Sequence, residues 1–599
     1  MSHQSGDSNR LGIKKRIVQR QATGSDSEFS AGCHPVIRRI CLTRNIRSEK
    51  DLDHSLKGLP QPGLFNGMQN MVTHLVEAID RQSRILIVAD FDADGATSCA
   101  VAKLGLEMLG ASEVLYTVPD RFKFGYGLTP EIVEVASLQN PDIIVTVDNG
   151  ISSIEGVKAA QDRSMKVLIT DHHLPGSQLP DADAIVNPNL PGDPFPSKAL
   201  AGVGVMFYVL SALRKTLRDS GGFNRLKIPE PNLACLLDFV ALGTVADVVE
   251  LDYINRILVH QGLQRIRKGL AHPGIQALLQ IAGRSIETLT ASDLGFSVGP
   301  RLNAAGRLDD MALGIECLLT EDLEEALIIA EKLDSLNQNR REIESRMKDQ
   351  ALELLNSEDF QEHAQLPAGI CMHDERWHQG VVGIIASRIK ERVNRPVIAF
   401  ASVGEGVIKG SARSVTGIHV RDVLSEIAAL HPRLLSKFGG HAMAAGLSLR
   451  LSDYPEFASL FAQVVKSRGL GLDSEAVIHT DGALTFADMT LEFAELLQKI
   501  APWGHGFPEP LFEGDFEVVE SRVLKDKHVK FSLCLPEHDH IFDGIAFFAE
   551  QPEEWLEVEK IKLVYRLAIN EFHKLRKVQL MIEYMEVLDR GSGGWPKID

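Results

Sequence analysis

The sequence has few cysteines, and no two of them form a CxxC pair. Its 599 residues include seven, all widely separated: Cys33, Cys41, Cys99, Cys235, Cys317, Cys371 and Cys534. An odd number at such spacings indicates neither a disulfide framework nor a thiolate zinc site, because both need characteristic spacings. We therefore expect reduced thiols and a cytoplasmic setting.

Long apolar runs are also missing. The richest window, residues 233–249, is interrupted by Asp238 and Asp247, and the first residues lack an apolar signal-peptide core. A membrane-spanning helix needs about 18 or more nearly uninterrupted apolar residues. We therefore expect a protein that is neither exported nor membrane-spanning.

There is no excess of positive charge. Lys and Arg number 63 against 81 Asp and Glu, so the formal net charge is −18. This total argues against a protein that coats nucleic acid by bulk electrostatics, but it permits local basic clefts, since steering depends on where charge lies. The hydrophobic share of 44% and charged share of 24% are typical of a globular protein. At roughly 150 residues per domain, the length suggests about three to five domains.

The first large segment, residues 46–319, alternates short apolar runs with helix-sized stretches. This pattern predicts an α/β domain built on a parallel sheet with helical crossovers. The predicted strands include residues 85–88, 143–147, 167–170 and 185–186. In such sheets, binding sites form at the carboxyl ends of the strands. The preceding residues, 1–45, begin rich in Ser, Gly, Gln and charge and are predicted to be a mobile tail.

Three further segments complete the predicted architecture. Residues 320–358 carry apolar residues near helical spacing and predict one long connecting helix. Residues 359–470 predict a smaller α/β domain with glycine-rich turns at 409–414 and 439–446. In residues 471–599, apolar and polar positions alternate over five or six short strands, which predicts a small β-barrel.

Acidic residues follow the predicted strands. Asp90, Asp92 and Asp94 come directly after the first strand, and their mutual repulsion is unfavourable unless a cation neutralises them. Taken alone, such a turn is more often a solvated loop. The pattern repeats, however, at the ends of the next two strands and at the end of a further apolar run that we interpret as a strand: Asp148, then Asp171, His172 and His173, then Asp247.

Strand ends that meet at one edge of a sheet would bring these carboxylates and two imidazoles together. Oxygen and nitrogen ligands without thiolate suit Mn²⁺ or Mg²⁺ better than structural zinc. Several carboxylates can hold two ions about 3.5 to 4 Å apart, and such ions activate water and stabilise both oxygens of an in-line phosphoryl displacement. The sequence therefore predicts a hydrolytic site with two divalent metal ions.

These motifs resemble those of a known superfamily. Asp171-His172-His173, with the Asp-rich first motif, the Val-Asp-Asn-Gly motif around Asp148 and Asp247, resembles the DHH phosphoesterase superfamily. Gly439-Gly440-His441, followed by Ala445 and Gly446, resembles its associated DHHA1 domain. Residues 119–128, 299–307, 377–383 and 410–414 are similar to motifs of the single-stranded-DNA exonucleases within this superfamily, and the resemblance covers roughly residues 50–590.

The resemblance implies a set of metal ligands: Asp90, Asp92, Asp94, Asp148, His172 and Asp247. Asp148 would bridge the two ions, and Asp171 would orient the imidazole of His172. His173 joins the catalytic set, either as a ligand or in contact with the scissile phosphate. Many relatives carry a histidine four residues before the second aspartate, where this chain has Val88, so Asp90 takes that role.

The resemblance also implies a set of substrate-binding residues: Arg121, Tyr126, Arg301, Asn303, Arg307, Arg413, Gly439, Gly440 and His441. Arg121 and Tyr126 would recognise the end of the substrate, while the arginines would grip phosphates. The glycines would let backbone amides approach a phosphate closely. The alternative for each group is an ordinary turn or a surface salt bridge.

As a function, the resemblance implies metal-dependent hydrolysis of single-stranded DNA from its 5′ end to mononucleotides, in recombination and repair. The barrel resembles an OB-fold that binds single strands, and a channel between the two α/β domains would exclude a duplex. We expect a monomer whose partners are single-stranded DNA, single-strand-binding protein and a RecQ-type helicase. Two alternatives stay open: a DHH-DHHA1 phosphodiesterase for short RNA or cyclic dinucleotides, and a catalytically silent DNA-binding scaffold.

Overall fold

A computed structural model describes most of the chain: residues 15–22, 29–30, 32–120, 123–356, 366–435, 437–468, 476–549, 551–572 and 575–590. The chain divides into two compact units. The larger unit contains the described residues of Gln19–Asn337 and of Thr480–Asp599. The smaller unit contains those of Gln338–His479 and the few before Gln19.

The helices are numbered in chain order. They are α1 (Pro35–Leu42), α2 (Met68–Arg81), α3 (Ala93–Met108), α4 (Pro130–Ser137), α5 (Ile154–Gln161), α6 (Gly202–Asp219), α7 (Gly222–Leu226), α8 (Leu237–Ala246), α9 (Tyr253–Arg267), α10 (Pro273–Ile281), α11 (Ala291–Asp293), α12 (Gly299–Leu308), α13 (Ala312–Leu319), α14 (Leu323–Leu355), α15 (Val382–Val393), α16 (Val420–Leu430), α17 (Tyr454–Ser467) and α18 (Leu491–Ile500). A π-helical turn, Leu294–Val298, leads directly into α12. The predicted long helix is confirmed as α14.

The strands are numbered in the same way. They are β1 (Lys15–Gln19), β2 (Arg84–Ala89), β3 (Glu113–Thr117), β4 (Ile143–Val147), β5 (Lys166–Thr170), β6 (Ala184–Val186), β7 (Ile370–His373), β8 (Val397–Ser402), β9 (Val407–Arg413), β10 (Lys437–Gly440), β11 (Ala444–Arg450), β12 (Ala476–Thr480), β13 (Phe512–Leu524), β14 (His528–Cys534), β15 (Phe542–Ala546), β16 (Val558–Phe572) and β17 (Leu575–Arg590).

The first sheet is parallel throughout, with strand order β3-β2-β4-β5-β6. Its central strands are apolar on both faces because helices cover both sides of such a sheet. Ile85, Leu86, Ile87 and Val88 of β2, for example, are completely buried. All carboxyl ends of the strands therefore point to one edge, which confirms the predicted fold class.

One predicted strand is a helix. The apolar run before Asp247 forms α8, whose central residues are buried all round the helix axis. A helix inside a core is apolar on every side and so carries no 3.6-residue periodicity that would separate it from a buried strand. Asp247 is therefore the C-cap of α8 rather than the end of a strand.

The predicted N-terminal tail also differs from the structure. Residues 1–14 and 23–28 lie outside the described residues, but β1 pairs with β12, and α1 packs into the core of the larger unit. Val36, Ile37 and Ile40 form the apolar face of α1 and are buried. This short amphipathic helix begins with Pro35 at its first position. It follows a polar stretch, so the average composition of the region does not reveal it.

The smaller unit contains a mixed sheet with strand order β10-β11-β9-β8-β7. Of the two glycine-rich segments predicted as turns, 439–446 does contain the hairpin turn between β10 and β11, whereas 409–414 lies largely in strand β9, which pairs with the other side of β11. At Gly410 a Cβ would lie 2.4 Å from Cε1 of Phe400, so close packing rather than a turn requires this glycine. Its sequence signal is the same as that of a turn, which explains the error.

The C-terminal strands form the predicted closed barrel, in the order β13-β14-β15-β17-β16. Its aromatics Phe512, Phe531 and Tyr565 are core residues, each at most 1% exposed. The barrel packs within the same unit as the parallel sheet. The segment that precedes the barrel also bonds to the chain between α8 and α9, where the backbone N–H of Leu251 donates to the carbonyl of His505 (2.8 Å).

A buried ion cluster links the start of the larger unit to the residue that follows β12. The fully buried carboxylate of Asp481 accepts hydrogen bonds from Nη1 and Nη2 of Arg44 (2.6 and 3.0 Å). It also accepts from Nη1 of Arg20 (3.1 Å) and the backbone N–H of Leu511 (3.1 Å). Asp481 therefore couples α1 to the segment that enters the barrel.

No helix within the described part of the chain is both long enough and apolar enough to cross a membrane.

Candidate metal centre

The Asp-rich turn after β2 is held by its own backbone. Asp92 is the N-cap of α3, and its Oδ1 accepts from the backbone N–H groups of Asp94 (2.9 Å) and Gly95 (3.1 Å). Asp90 is 5% exposed and Asp94 only 1%. Gly95 is required here, since a Cβ would lie 2.4 Å from the carbonyl oxygen of Asp90.

Asp148 follows β4 in an uncommon backbone conformation, with φ of 62°. The turn is fixed by Asn149, whose Nδ2 donates to the carbonyls of Val88 (3.0 Å) and Val147 (2.9 Å). Asp148 is 1% exposed, and its Oδ1 accepts no hydrogen bond from any residue that the structure describes. A buried carboxylate oxygen without a donor is costly unless a cation occupies its surroundings.

The two histidines after β5 face different partners. Nε2 of His172 lies 3.1 Å from Oδ1 of Asp148 and 3.6 Å from Oδ2 of Asp247. Nδ1 of His173 lies 2.8 Å from Oδ1 of Asp171, which also accepts the backbone N–H of both histidines. The prediction that Asp171 orients the ring of His172 is therefore wrong, because its carboxylate holds the ring of His173.

Asp247 reaches the cluster because α8 crosses α3 at close range. A Cβ at Gly243 would lie 2.2 Å from Oγ1 of Thr97 and 2.9 Å from Oδ1 of Asp94, so only glycine permits the crossing. Asp247 follows one helical turn later and faces His172. A fourth segment of the chain, the end of a helix, thus contributes a side chain to the edge where β2, β4 and β5 end.

The predicted ligands lie together in three overlapping groups. Within each group, one possible ligand atom per residue lies within 4.8 Å of the others: Asp90, Asp92 and Asp148; Asp94, His172 and Asp247; Asp148, His172 and His173. Asp148 and His172 belong to two groups each, and shared ligands of this kind are what a two-ion site needs.

The charges at this edge are uncompensated. Burial, followed by the charges of neighbouring carboxylates, raises the pKa of Asp94 and Asp148 well above the ordinary value, and burial raises that of Asp247. Burial lowers the pKa of His172, which favours the neutral imidazole that ligates metals. Burial also opposes protonation of His173, but the hydrogen bond with Asp171 raises its pKa to about 9.

These residues fit divalent cations. The donor set is oxygen and imidazole nitrogen without thiolate, as Mn²⁺ and Mg²⁺ prefer. Oδ1 of Asp148 and Nε2 of His172 are both buried and have no hydrogen-bond partner among the described residues, although they lie 3.1 Å apart. A cation bound by both atoms would supply the missing interaction.

Helix α12 packs against the Asp-rich turn. Oδ1 of Asn303 accepts the backbone N–H of Ala93 (2.9 Å), and a Cβ at Gly306 would lie 1.8 Å from the carbonyl oxygen of Phe91. The predicted phosphate contact of Arg301 differs from the structure, in which Arg301 is 9% exposed, pairs with Asp334 (2.8 Å) and donates to the carbonyl of Ser297. Arg307 lies half-buried in the last turn of α12.

Tyr126 lies beside the cluster, and Arg121 lies outside the described residues. The hydroxyl of Tyr126 donates to the carbonyl of Asp148 (3.3 Å) and lies 3.2 Å from Nδ1 of His173. Its ring meets Phe91 edge-on with 6.0 Å between centroids. The residue remains 46% exposed, so it forms part of the rim of the site.

The smaller unit holds the remaining predicted substrate-binding residues. Nη1 of Arg413 donates to Oγ of Ser411 (2.9 Å) and to the carbonyl of Ala412 (2.8 Å), and burial lowers its pKa. Within the described ranges it has no carboxylate partner. Gly439 and Gly440 lie on β10, and the backbone N–H of His441 donates to the carbonyl of Ala444 (2.7 Å). The half-buried guanidinium of Arg413 is therefore suited to bind an anion.

Two backbone amides that position Asp94 were missed by the sequence reasoning. Gly202 N–H donates to its Oδ2 (2.6 Å) and Val203 N–H to its Oδ1 (3.0 Å), both from the first turn of α6. The available signal was the small-residue stretch 201–204 before an apolar helix. Such amides favour a carboxylate at a helix N-terminus.

Gly202→Ala is expected to weaken Mn²⁺ binding by about 10- to 100-fold, as the loss of a residue that positions a ligand does. A Cβ at Gly202 would lie 2.6 Å from Cβ and 2.7 Å from Oδ1 of Asp148. The rise of the melting temperature with Mn²⁺ concentration measures the affinity.

Gly204→Ala is the matched control, since the nearest atom to its Cβ would be at the flexible end of Leu200, at 3.1 Å. Equal Mn²⁺ affinity in both variants would contradict the prediction.

Three family models match the chain. They are the DHH family N-terminal domain over residues 84–244, the DHHA1 domain over 365–467 and the RecJ OB domain over 480–584. The parallel sheet with its acidic edge is thus the catalytic module of the DHH class, followed by the two further modules of one of its branches.

Relatives over nearly the whole length identify the branch. The chain is 49% identical to the single-stranded-DNA-specific exonuclease RecJ of Dickeya dadantii, over 94% of this chain and 98% of that protein. Identity to RecJ of Escherichia coli is 48%, over 95% and 99%. The structure of RecJ from Thermus thermophilus in complex with Mn²⁺ matches with a TM-score of 0.78 and 28% identity, over 98% of this chain and 82% of that one. The chain therefore belongs to the RecJ family.

Proposed function

We propose that this protein is a metal-dependent exonuclease that degrades single-stranded DNA from the 5′ end to mononucleotides, in recombination and repair. The observation that carries the proposal is the buried cluster of carboxylates around Asp148, whose charges are uncompensated at the carboxyl edge of a parallel sheet. Full-length relatives named as single-stranded-DNA-specific exonucleases support the substrate.

The metal cofactors of this proposal are two Mn²⁺ or Mg²⁺ ions. The residues that would hold them are Asp90, Asp92, Asp94, Asp148, His172 and Asp247. When bound, such ions supply a water of lowered pKa and stabilise charge on the phosphate oxygens. RecJ of Thermus thermophilus has been crystallised with each of these ions, which supports the assignment.

The chain's own residues position the phosphate. Asp171 holds the ring of His173, whose raised pKa favours the protonated imidazole, a hydrogen-bond donor for an anionic oxygen. Tyr126 fixes the same ring and the backbone of Asp148, while Asn303 holds the Asp-rich turn at Ala93. These residues keep the reacting groups in one geometry, which removes an orientational cost from the reaction.

We assign binding of the strand to the other two modules. Arg413, with Gly439, Gly440 and His441, binds a phosphate of the substrate in the DHHA1 domain, and the OB barrel binds the strand further from the cleaved end. Arg121 and Arg307 complete the proposed set. We keep the domain bounds that the sequence predicted, except that the first domain begins before α1. We also propose that this protein is monomeric and cytoplasmic. Its proposed partners are single-strand-binding protein and a RecQ-type helicase.

The test is a time course with Mn²⁺ on a long single strand labelled at either end. Immediate release of a labelled mononucleotide from the 5′ label, with the 3′ label retained in shortening fragments, is the expected result. Chelation of the metal must abolish both the release of the 5′ label and the shortening of the 3′-labelled fragments. Rapid hydrolysis of a dinucleotide without any cleavage of the polymer would contradict the proposal and favour a phosphodiesterase for short substrates.

A further inference from the structure

An exposed aromatic residue lies in the π-helical turn that leads into α12. Phe296 is 78% exposed, whereas its neighbours Ser297 and Val298 are buried. π-Helical turns are rare and often occur at functional sites. Exposing a phenylalanine ring forgoes about 2 kcal/mol of burial energy, and here the exposed ring coincides with an irregular turn.

The position of Phe296 relative to the metal centre follows from the helix. Asn303 comes seven residues later in a continuous helical segment and touches Ala93 of the Asp-rich turn. The same segment packs on the end of α8, because a Cβ at Gly299 would lie 3.0 Å from Cβ of Ala246, the residue before Asp247. Phe296 therefore lies at the rim of the acidic cluster.

A second exposed apolar residue lies at the same rim. Val248 follows the ligand candidate Asp247, is 62% exposed and has a φ of 63°. A β-branched residue in this left-handed region is a strained outlier, and such outliers cluster at functional sites. The π-helical turn packs on the end of α8, since a Cβ at Gly295 would lie 3.0 Å from Cγ1 of Val245.

We propose that Phe296 and Val248 form the surface on which a nucleobase of the strand stacks while its phosphate lies in the metal centre. The inference rests on the proposed function and deepens it, because it names the residues that recognise an unpaired base. An aromatic ring accepts any base by stacking, without regard to sequence. An interior base of a duplex has both faces stacked on its neighbours and its edge paired, so it cannot stack on this ring without leaving the duplex.

The experiment pairs an enzyme change with a substrate change. Phe296→Ala is expected to lower kcat/KM on a single-stranded oligonucleotide by about 5- to 150-fold, the range that loss of one stacked base produces. Phe296→Trp should retain most of the activity. Oligonucleotides abasic at the first, second or third nucleotide from the 5′ end locate the contacted base. On the oligonucleotide that is abasic at that position, kcat/KM of the wild type should fall by the same factor as Phe296→Ala causes on the intact strand. On this abasic oligonucleotide, kcat/KM of Phe296→Ala should not fall further.

Val248→Asn provides an independent second variant. Asparagine tolerates the left-handed backbone, so the turn is preserved while the apolar contact is replaced by a polar one. The fall in kcat/KM caused by Val248→Asn should also be confined to substrates that carry the contacted base. The Mn²⁺-dependent rise in melting temperature should equal that of the wild type in both variants, because neither residue is a ligand.

Leu138→Ala is the matched control, since Leu138 is 80% exposed and precedes β4 at the opposite edge of the sheet. Equal kcat/KM for Phe296→Ala and the wild type on intact strands would overturn the base contact alone. The base contact would also be overturned if the losses in kcat/KM caused by Phe296→Ala and by the abasic nucleotide simply added when the two changes are combined. A wild type inactive on every intact strand would instead overturn the proposed function, and the inference with it.

Discussion

Asp148→Asn is expected to lower the rate of Mn²⁺-dependent hydrolysis by on the order of 10³-fold or more, while the metal-free protein becomes no less stable. Asparagine has the same shape and tolerates the left-handed backbone of this position, where φ is 62°. It removes a charge that lies buried among Asp90, Asp92, Asp94 and Asp247, which repel it. The loss is therefore one of ligation and not of folding.

Two measurements separate these effects. The initial rate on a labelled single strand should fall, and the Mn²⁺-induced rise in melting temperature should be greatly reduced, while the melting temperature without metal equals or exceeds that of the wild type. Asp219→Asn removes one exposed carboxylate from the same domain and should change neither quantity. A variant that melts well below the wild type without metal would show that Asp148 supports the fold directly.

Asp481→Asn is expected to destabilise the larger unit by about 3 to 5 kcal/mol, the range for breaking a buried ion pair from one side. The substitution leaves the guanidinium of Arg44, whose side chain is 2% exposed, without its countercharge. It also weakens the hydrogen bonds from Arg20 and from the backbone of Leu511. The barrel and α1 should therefore loosen together.

Thermal melting and limited proteolysis test this expectation. Because a protein of several domains need not unfold in one step, the first thermal transition is the relevant one. Asp80→Asn is the control, since Asp80 makes a comparable pair with Arg225 on the surface and should cost less than about 1 kcal/mol. Equal melting temperatures for the two variants would contradict the proposed coupling.

Much of the fold was readable from the sequence because buried parallel strands and amphipathic barrel strands leave strong patterns. The strand Ile143–Val147 has the predicted bounds, and the closed barrel lies within the predicted segment 471–599. The run before Asp247 was misassigned because complete burial erases the helical period. Helix α1 was missed because its burial depends on packing against distant parts of the chain.

The metal ligands were readable because their positions after strands fix them at one edge. Interactions that depend on side-chain direction were not. Whether Asp171 bonds to His172 or His173, and whether Arg301 faces a phosphate or Asp334, depends on rotamers and neighbours from other helices. The amide of Gly202 carries no side-chain signal at all.

The buried pair of Arg44 and Asp481 also bears on how the chain is made. The two residues are 437 positions apart, so at typical translation rates about 20 to 90 s pass between their syntheses. During that interval α1 has no Asp481 against which to neutralise Arg44, although the parallel sheet can already form. The guanidinium of Arg44 therefore stays without its buried partner until the last domain emerges, and a ribosome that stalls before residue 481 leaves this ion cluster incomplete.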